Sequence, residues 1–131
     1  MKLKQLEARE QIQVIEYCQY IPLLREHIYH IPNGGRRNPQ EAKKLKAMGV
    51  RPGVLDLHLP LPIMHRPLLT GESHGLYIEM KAGKNGLTDN QIKFFNQAQA
   101  NGYECYECNG SGEAIEVLTD YITRLKKARC E

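Results

Sequence analysis

Three charged residues break two otherwise apolar runs in the middle of the chain, and compensating them limits the fold more than any other feature. Val54-Leu55-Asp56-Leu57-His58-Leu59 and Gly75-Leu76-Tyr77-Ile78-Glu79-Met80-Lys81 both read as strands. Side chains alternate across a strand, so Glu79 and Lys81, two apart, leave the same face. A charge in a buried strand is costly unless it is paired or holds a metal. The two strands must therefore lie where Asp56, Glu79 and Lys81 can meet. Two carboxylates with a divalent cation between them are the simplest compensation. Their oxygens suit Mg2+ or Mn2+, which keep several waters and accept one or two protein carboxylates plus phosphate oxygens. A lysine beside such an ion can hold an attacking water and stabilise the charge that builds on a phosphate. The plainer reading of the same residues is a structural ion pair across two strands.

The rest of the chain supplies the elements around these strands. A helical pattern, with Glu7, Gln11, Val14 or Ile15 and Cys18 recurring along one stripe, predicts a helix over Leu3 to Tyr20, which Pro22 ends or kinks. His27-Ile28-Tyr29-His30-Ile31 alternates like a short strand, and Pro32-Asn33-Gly34-Gly35 reads as a turn. Asn38 as N-cap and Pro39 at the first helical position open a helix to Met48, stopped by Gly49. The proline-rich connection from Pro60 to His74 is long for a hairpin and reads as a mobile or functional loop. After Lys81, Gly83, Asn85 and Gly86 make a turn. Thr88 with Gln91 forms a capping-box pattern at the start of a helix to about Ala100. Tyr103 to Glu107 reads as a strand, Asn109 to Gly112 as a turn, and Glu113 to Lys127 as a last amphipathic helix. The order helix, strand, helix, strand, strand, helix, strand, helix predicts an α/β fold. Its mixed sheet is flanked by helices, with a parallel crossover from the Glu79 strand to the last strand.

At 131 residues the chain reads as one domain, long enough for a core without disulfide staples. No apolar run approaches the roughly 18 residues of a membrane span. The N-terminus lacks the apolar core of a signal peptide, so the expected location is the cytoplasm. A net charge of +3 permits nucleic-acid binding without arguing for it.

Five segments, taken in order, resemble the virus-type replication-repair nuclease (VRR-NUC) domain of the PD-(D/E)XK nuclease superfamily. They are Pro32-Asn33-Gly34-Gly35-Arg36-Arg37, Leu45-Lys46-Ala47-Met48-Gly49-Val50, Gly53-Val54-Leu55-Asp56-Leu57, Gly75-Leu76-Tyr77-Ile78-Glu79-Met80-Lys81-Ala82 and Leu87-Thr88-Asp89-Asn90-Gln91. The resemblance runs from Glu7 to Tyr121. It implies a restriction-endonuclease-like sheet in a stand-alone nuclease domain of the phage or bacterial kind. It further implies Mg2+- or Mn2+-dependent hydrolysis of DNA, with branched DNA such as flaps or Holliday junctions favoured and a homodimer as the assembly. Position by position, Asp56 and Glu79 match the metal-binding acids, Lys81 the catalytic lysine, and Gln91 the glutamine that opens the next helix. An acidic residue on the first helix also belongs to the pattern. Glu7 and Glu10 compete for that role, with Glu7 preferred because it shares a stripe with Gln11. One departure is Leu55, where the family usually has proline. The rival to an enzyme is a nuclease-fold module that binds branched nucleic acid without cutting it.

The remaining candidates each have a bland counterpart. Gln91 is either the capping partner of Thr88 or a site residue, since one side chain rarely serves both. Arg36, Arg37, Lys43, Lys44 and Lys46 are either solvated charges or a phosphate-contacting patch ahead of the Asp56 strand, and the patch is the better reading. Cys105 and Cys108 have knuckle spacing but no second pair, and in a strand they face opposite sides, so core or edge thiols are expected. His58 shares the Asp56 face, and packing is favoured over metal contact. His27, His30, His65 and His74 show no ligand spacing.

Overall fold

The computed structural model describes residues 2–32, 38–65 and 70–130. Helix α1 spans Leu3–Cys18. A short helix α2, Pro22–His27, follows it, and then strand β1, Tyr29–His30. The first helix thus ends short of Pro22, as expected, and Pro22 itself begins a second helix. Its ring fixes φ near the helical value, and the first helical residue has no use for an N–H. The expected strand from His27 shrinks to two residues. Helix α3, Pro39–Ala47, is capped by the Asn38 side chain, which accepts from the Glu41 N–H at 2.7 Å. The turn expected over Pro32 to Gly35 has residues 33–35 outside the described residues, and Arg36 and Arg37 also lie outside them.

Strand β2 is Leu57–Leu59 and β5 is Leu76–Lys81. Between them, the connection expected to be a loop contains a hairpin, β3 (Ile63–His65) and β4 (Thr70–Ser73), with a register shift at Ile63 and Met64. The hairpin is docked rather than loose. Ile63 is fully buried, and the Tyr121 hydroxyl donates to the Leu61 carbonyl and lies 3.1 Å from Ser73 Oγ. Arg124 adds ion pairs to Glu72 in β4 and to Glu104, which opens the last strand.

Helix α4, Asp89–Ala100, then leads to β6, Glu104–Asn109, and a single bend residue, Gly110, separates β6 from α5, Ser111–Cys130. The main sheet has the order β1-β2-β5-β6, antiparallel across the first two pairs and parallel between β5 and β6. The α4 crossover thus joins parallel neighbours as expected. One face of the sheet packs Leu57, Leu59, Leu76, Ile78 and Met80 against Val14 and Cys18 of α1 and Leu118, Tyr121 and Leu125 of α5. The other face packs Tyr77 and Cys105 with Leu55 under Phe94, Phe95 and Ala98 of α4. Cys105 and Cys108 fall on opposite faces, and burial pushes their thiols up to about 11 and about 12. Among the described residues all four cysteines are free thiols, and no helix is long and apolar enough to cross a membrane.

Candidate active site

Asp56 lies one residue before β2, at a bend, rather than inside a strand as expected. The ladder between β2 and β5 ends at the Leu57 and Ile78 pair. Beyond it, side chains take over the backbone groups. The Asp56 N–H donates to Glu79 Oε1 at 3.1 Å, and the Met80 N–H donates to Asp56 Oδ2 at 2.9 Å. The Asp56 carbonyl accepts from the Ile31 N–H at 2.8 Å, which ties the bend to the chain beyond β1. Each carboxylate is thus held by the other's strand.

Lys81 and Glu79, both buried, leave the same face of β5, with Nζ 3.6 Å from Glu79 Oε2. Gln91 joins them. Its Nε2 donates to Glu79 Oε2 at 2.7 Å, while its Oε1 accepts from Lys81 Nζ at 3.0 Å and from the Thr88 N–H at 2.9 Å. The capping and site roles of Gln91 were expected to exclude one another, and the structure corrects this. An amide oxygen has two lone pairs, so one can cap α4 while the other fixes the lysine.

These residues floor a cleft of about 660 Å3 whose other walls come from α1, His30, the 52–54 loop and the start of α4. Of the two competing glutamates, Glu7 lines the cleft. Glu10 instead accepts the Ser111 N–H at 3.0 Å, capping α5, and those bonds lower its pKa. Three further cleft residues were given no site role by the sequence. Lys4 and Asn90 sit on its walls, and His30 places Nδ1 2.8 Å from the Asp56 carbonyl. Only the His30-Ile31 alternation next to a turn hinted at the last. His58 does not line the cleft; it stacks on Tyr77 with ring centroids 4.2 Å apart, and burial lowers its pKa. Lys43, Lys44 and Lys46 are exposed on α3, and none of them reaches the cleft.

The electrostatics follow from burial. Desolvation, then repulsion from Asp56, raises Glu79 to about 7, against the opposing pull of Lys81 and the Asp56 N–H. Desolvation also raises Asp56, with the Met80 N–H, His30 and Lys81 opposing it. An acid pair this reluctant to ionise would be stabilised by positive charge beyond that of Lys81. No group of three metal-ligating side chains is preformed among the described residues. Two carboxylates suit Mg2+ or Mn2+, which complete their shells with water and phosphate oxygens, and do not suit a zinc cage.

Gly53 sets the height of the loop that carries Asp56. Its φ is +85°, and a Cβ there would lie 2.4 Å from both the carbonyl carbon and oxygen of Asn90. Gly53→Ala is expected to lift this loop off the first turn of α4, at a cost of about 1–3 kcal/mol. Denaturant unfolding reads that loss, and a fall in any metal-dependent activity should accompany it. Leu55, in place of the expected proline, is fully buried beneath α4 and anchors the same loop by packing.

No family model matches the chain, and no curated protein matches it. A solved structure described as a VRR_NUC domain protein is similar over 90% of this chain and 88% of that one, with a TM-score of 0.73 and 27% sequence identity. With its mixed sheet flanked by helices, the chain has the nuclease-like fold of a VRR-NUC domain.

Proposed function

We propose that the protein is a Mg2+- or Mn2+-dependent endonuclease that hydrolyses phosphodiester bonds in DNA. The observation that carries the reading is the pairing of half-buried Asp56 with buried Glu79, which Gln91 joins to Lys81 at the floor of an open cleft. A structural ion pair needs one acid for one lysine, whereas here burial and then a second, half-buried acid raise the pKa of Glu79.

Asp56 and Glu79 would hold the cation, which when bound supplies Lewis acidity toward a phosphate and lowers the pKa of a nucleophilic water. Gln91 keeps the Lys81 ammonium aimed rather than collapsed onto Glu79, leaving its other protons for a non-bridging phosphate oxygen or the attacking water. Glu7 faces the same space from α1 and can accept a hydrogen bond from a water there. Lys4 on the same wall suits a neighbouring phosphate, and Arg36, Arg37, Lys43, Lys44 and Lys46 would contact the DNA backbone. Branched DNA is the favoured substrate class and a symmetric homodimer the favoured assembly, because two equivalent sites would nick both strands of a junction.

Labelled single-stranded, duplex, flap, fork and four-way-junction DNA, incubated with Mg2+, Mn2+ or EDTA, tests this reading. Cutting with either metal, none in EDTA, and paired nicks on a junction are the expected results. Tight binding to one DNA structure with no cutting under either metal would replace the enzyme with a binding module.

A further inference from the structure

Beside the cleft, a second groove of about 210 Å3 runs along the outer side of α4. It shares Pro52, Val54 and Asn90 with the cleft and continues past Lys93, Phe94 and Gln97. Positions 90, 93, 94 and 97 recur at helical spacing, so they form one stripe on α4. We propose that this groove is a subsite for one unpaired nucleotide next to the scissile phosphate. The inference rests on the nuclease reading and adds a substrate feature to it.

The chemistry of the lining argues for a nucleotide. Phe94 is half-buried and held edge-on by Tyr77, with centroids 5.0 Å apart, which gives a fixed apolar surface beside Val54. Asn90 and Gln97 are exposed at the two ends of the stripe. Each amide carries both a donor and an acceptor, the pattern that nucleobase edges offer in return. Lys93, exposed between them, is placed for a backbone phosphate. A duplex keeps its base edges paired and its faces stacked, so a base entering here must be unpaired. Substrates with a frayed, flapped or single-stranded nucleotide beside the cut would therefore gain contacts that continuous duplex lacks.

The test uses the intact chain and flap DNA carrying the fluorescent adenine analogue 2-aminopurine at one position at a time on either side of the junction, in EDTA so that no turnover intervenes. Total binding is followed by the anisotropy of a distant label. A fluorescence change confined to one or two unpaired positions is expected. Gln97→Ala should remove that change, and Lys93→Ala should weaken flap binding about 10-fold while affecting duplex binding less. Both side chains are exposed, so neither variant removes core packing. Flap binding without a position-specific signal, or a signal unchanged in both variants, overturns the subsite and leaves the nuclease reading standing. Failure to bind any DNA, with or without Ca2+, overturns both.

Discussion

Asp56→Asn is expected to reduce metal-dependent cleavage by at least about 10^3-fold while making the metal-free protein more stable at pH 8. The asparagine oxygen can still accept the Met80 N–H, so the bend before β2 keeps its anchor. Its amide no longer repels Glu79 and can donate to it, where the native pair sets two acids against each other. The sign follows from proton linkage. Glu79 titrates at about 7 in the fold against an ordinary 4.5. Between these values the native state holds more protons than the unfolded one, so metal-free stability is greatest at the acid end and falls as pH rises toward 7. Asp56, shifted in the same direction, adds to that fall. Removing one of the two acids should recover about 1–2 kcal/mol above pH 7, or about 4 °C in Tm. Thermal unfolding at pH 5 and pH 8, with and without Mn2+, reads the effect. A variant that melts lower than wild type at pH 8 without metal would mean that the pair is not a charge conflict.

Lys81→Met should reduce cleavage by about 10^2–10^3-fold and leave cation binding intact. The methionine fills much of the same buried space, while Gln91 Oε1 keeps its bond to the Thr88 N–H and loses only the ammonium. With the ammonium gone, the charge that develops on the phosphate loses the donor that Gln91 holds in place. The acid pair, freed of a competing cation, should still be stabilised by Mn2+. Turnover at saturating DNA and metal, set beside the Mn2+-induced rise in Tm, separates the two roles. Loss of both together would place Lys81 in the structural support of the acids.

The segment from β5 through α4 to β6 was legible in the sequence because each signal there is local. An apolar strand carries two same-face charges, Thr88 and Gln91 cap a helix, and Asn101-Gly102 ends it. The β3 and β4 hairpin was not legible. Its strands are three and four residues long, too short for alternation to register, and their docking depends on Tyr121 and Arg124 far along the chain. The acid pair was visible as a conflict of charge and burial, but not that Asp56 stands outside its strand. That placement comes from Glu79 Oε1 and Asp56 Oδ2 accepting from the Asp56 and Met80 N–H groups that a ladder would use. His30 escaped for a related reason. Its approach to Asp56 is set by the register of β1 on β2, with His30 opposite Leu57, a pairing between distant segments. Helical periodicity favoured Glu7 over Glu10 only through the stripe it shares with Gln11, and the N-terminus of α5, which only the fold brings alongside, gives Glu10 a partner of its own.

The central claim, that Asp56 and Glu79 form a divalent-cation site, is tested most directly by calorimetric titration of Mn2+ into the metal-free protein near pH 7 in buffers of different ionisation enthalpy. Binding should release a substantial fraction of a proton, because Glu79 with a pKa of about 7 must give up its own to ligate. That release should disappear in Asp56→Asn along with most of the affinity. Absence of Mn2+ binding by the wild type, or binding of equal strength in the variant, would contradict the account and leave Asp56 and Glu79 without the role assigned to them.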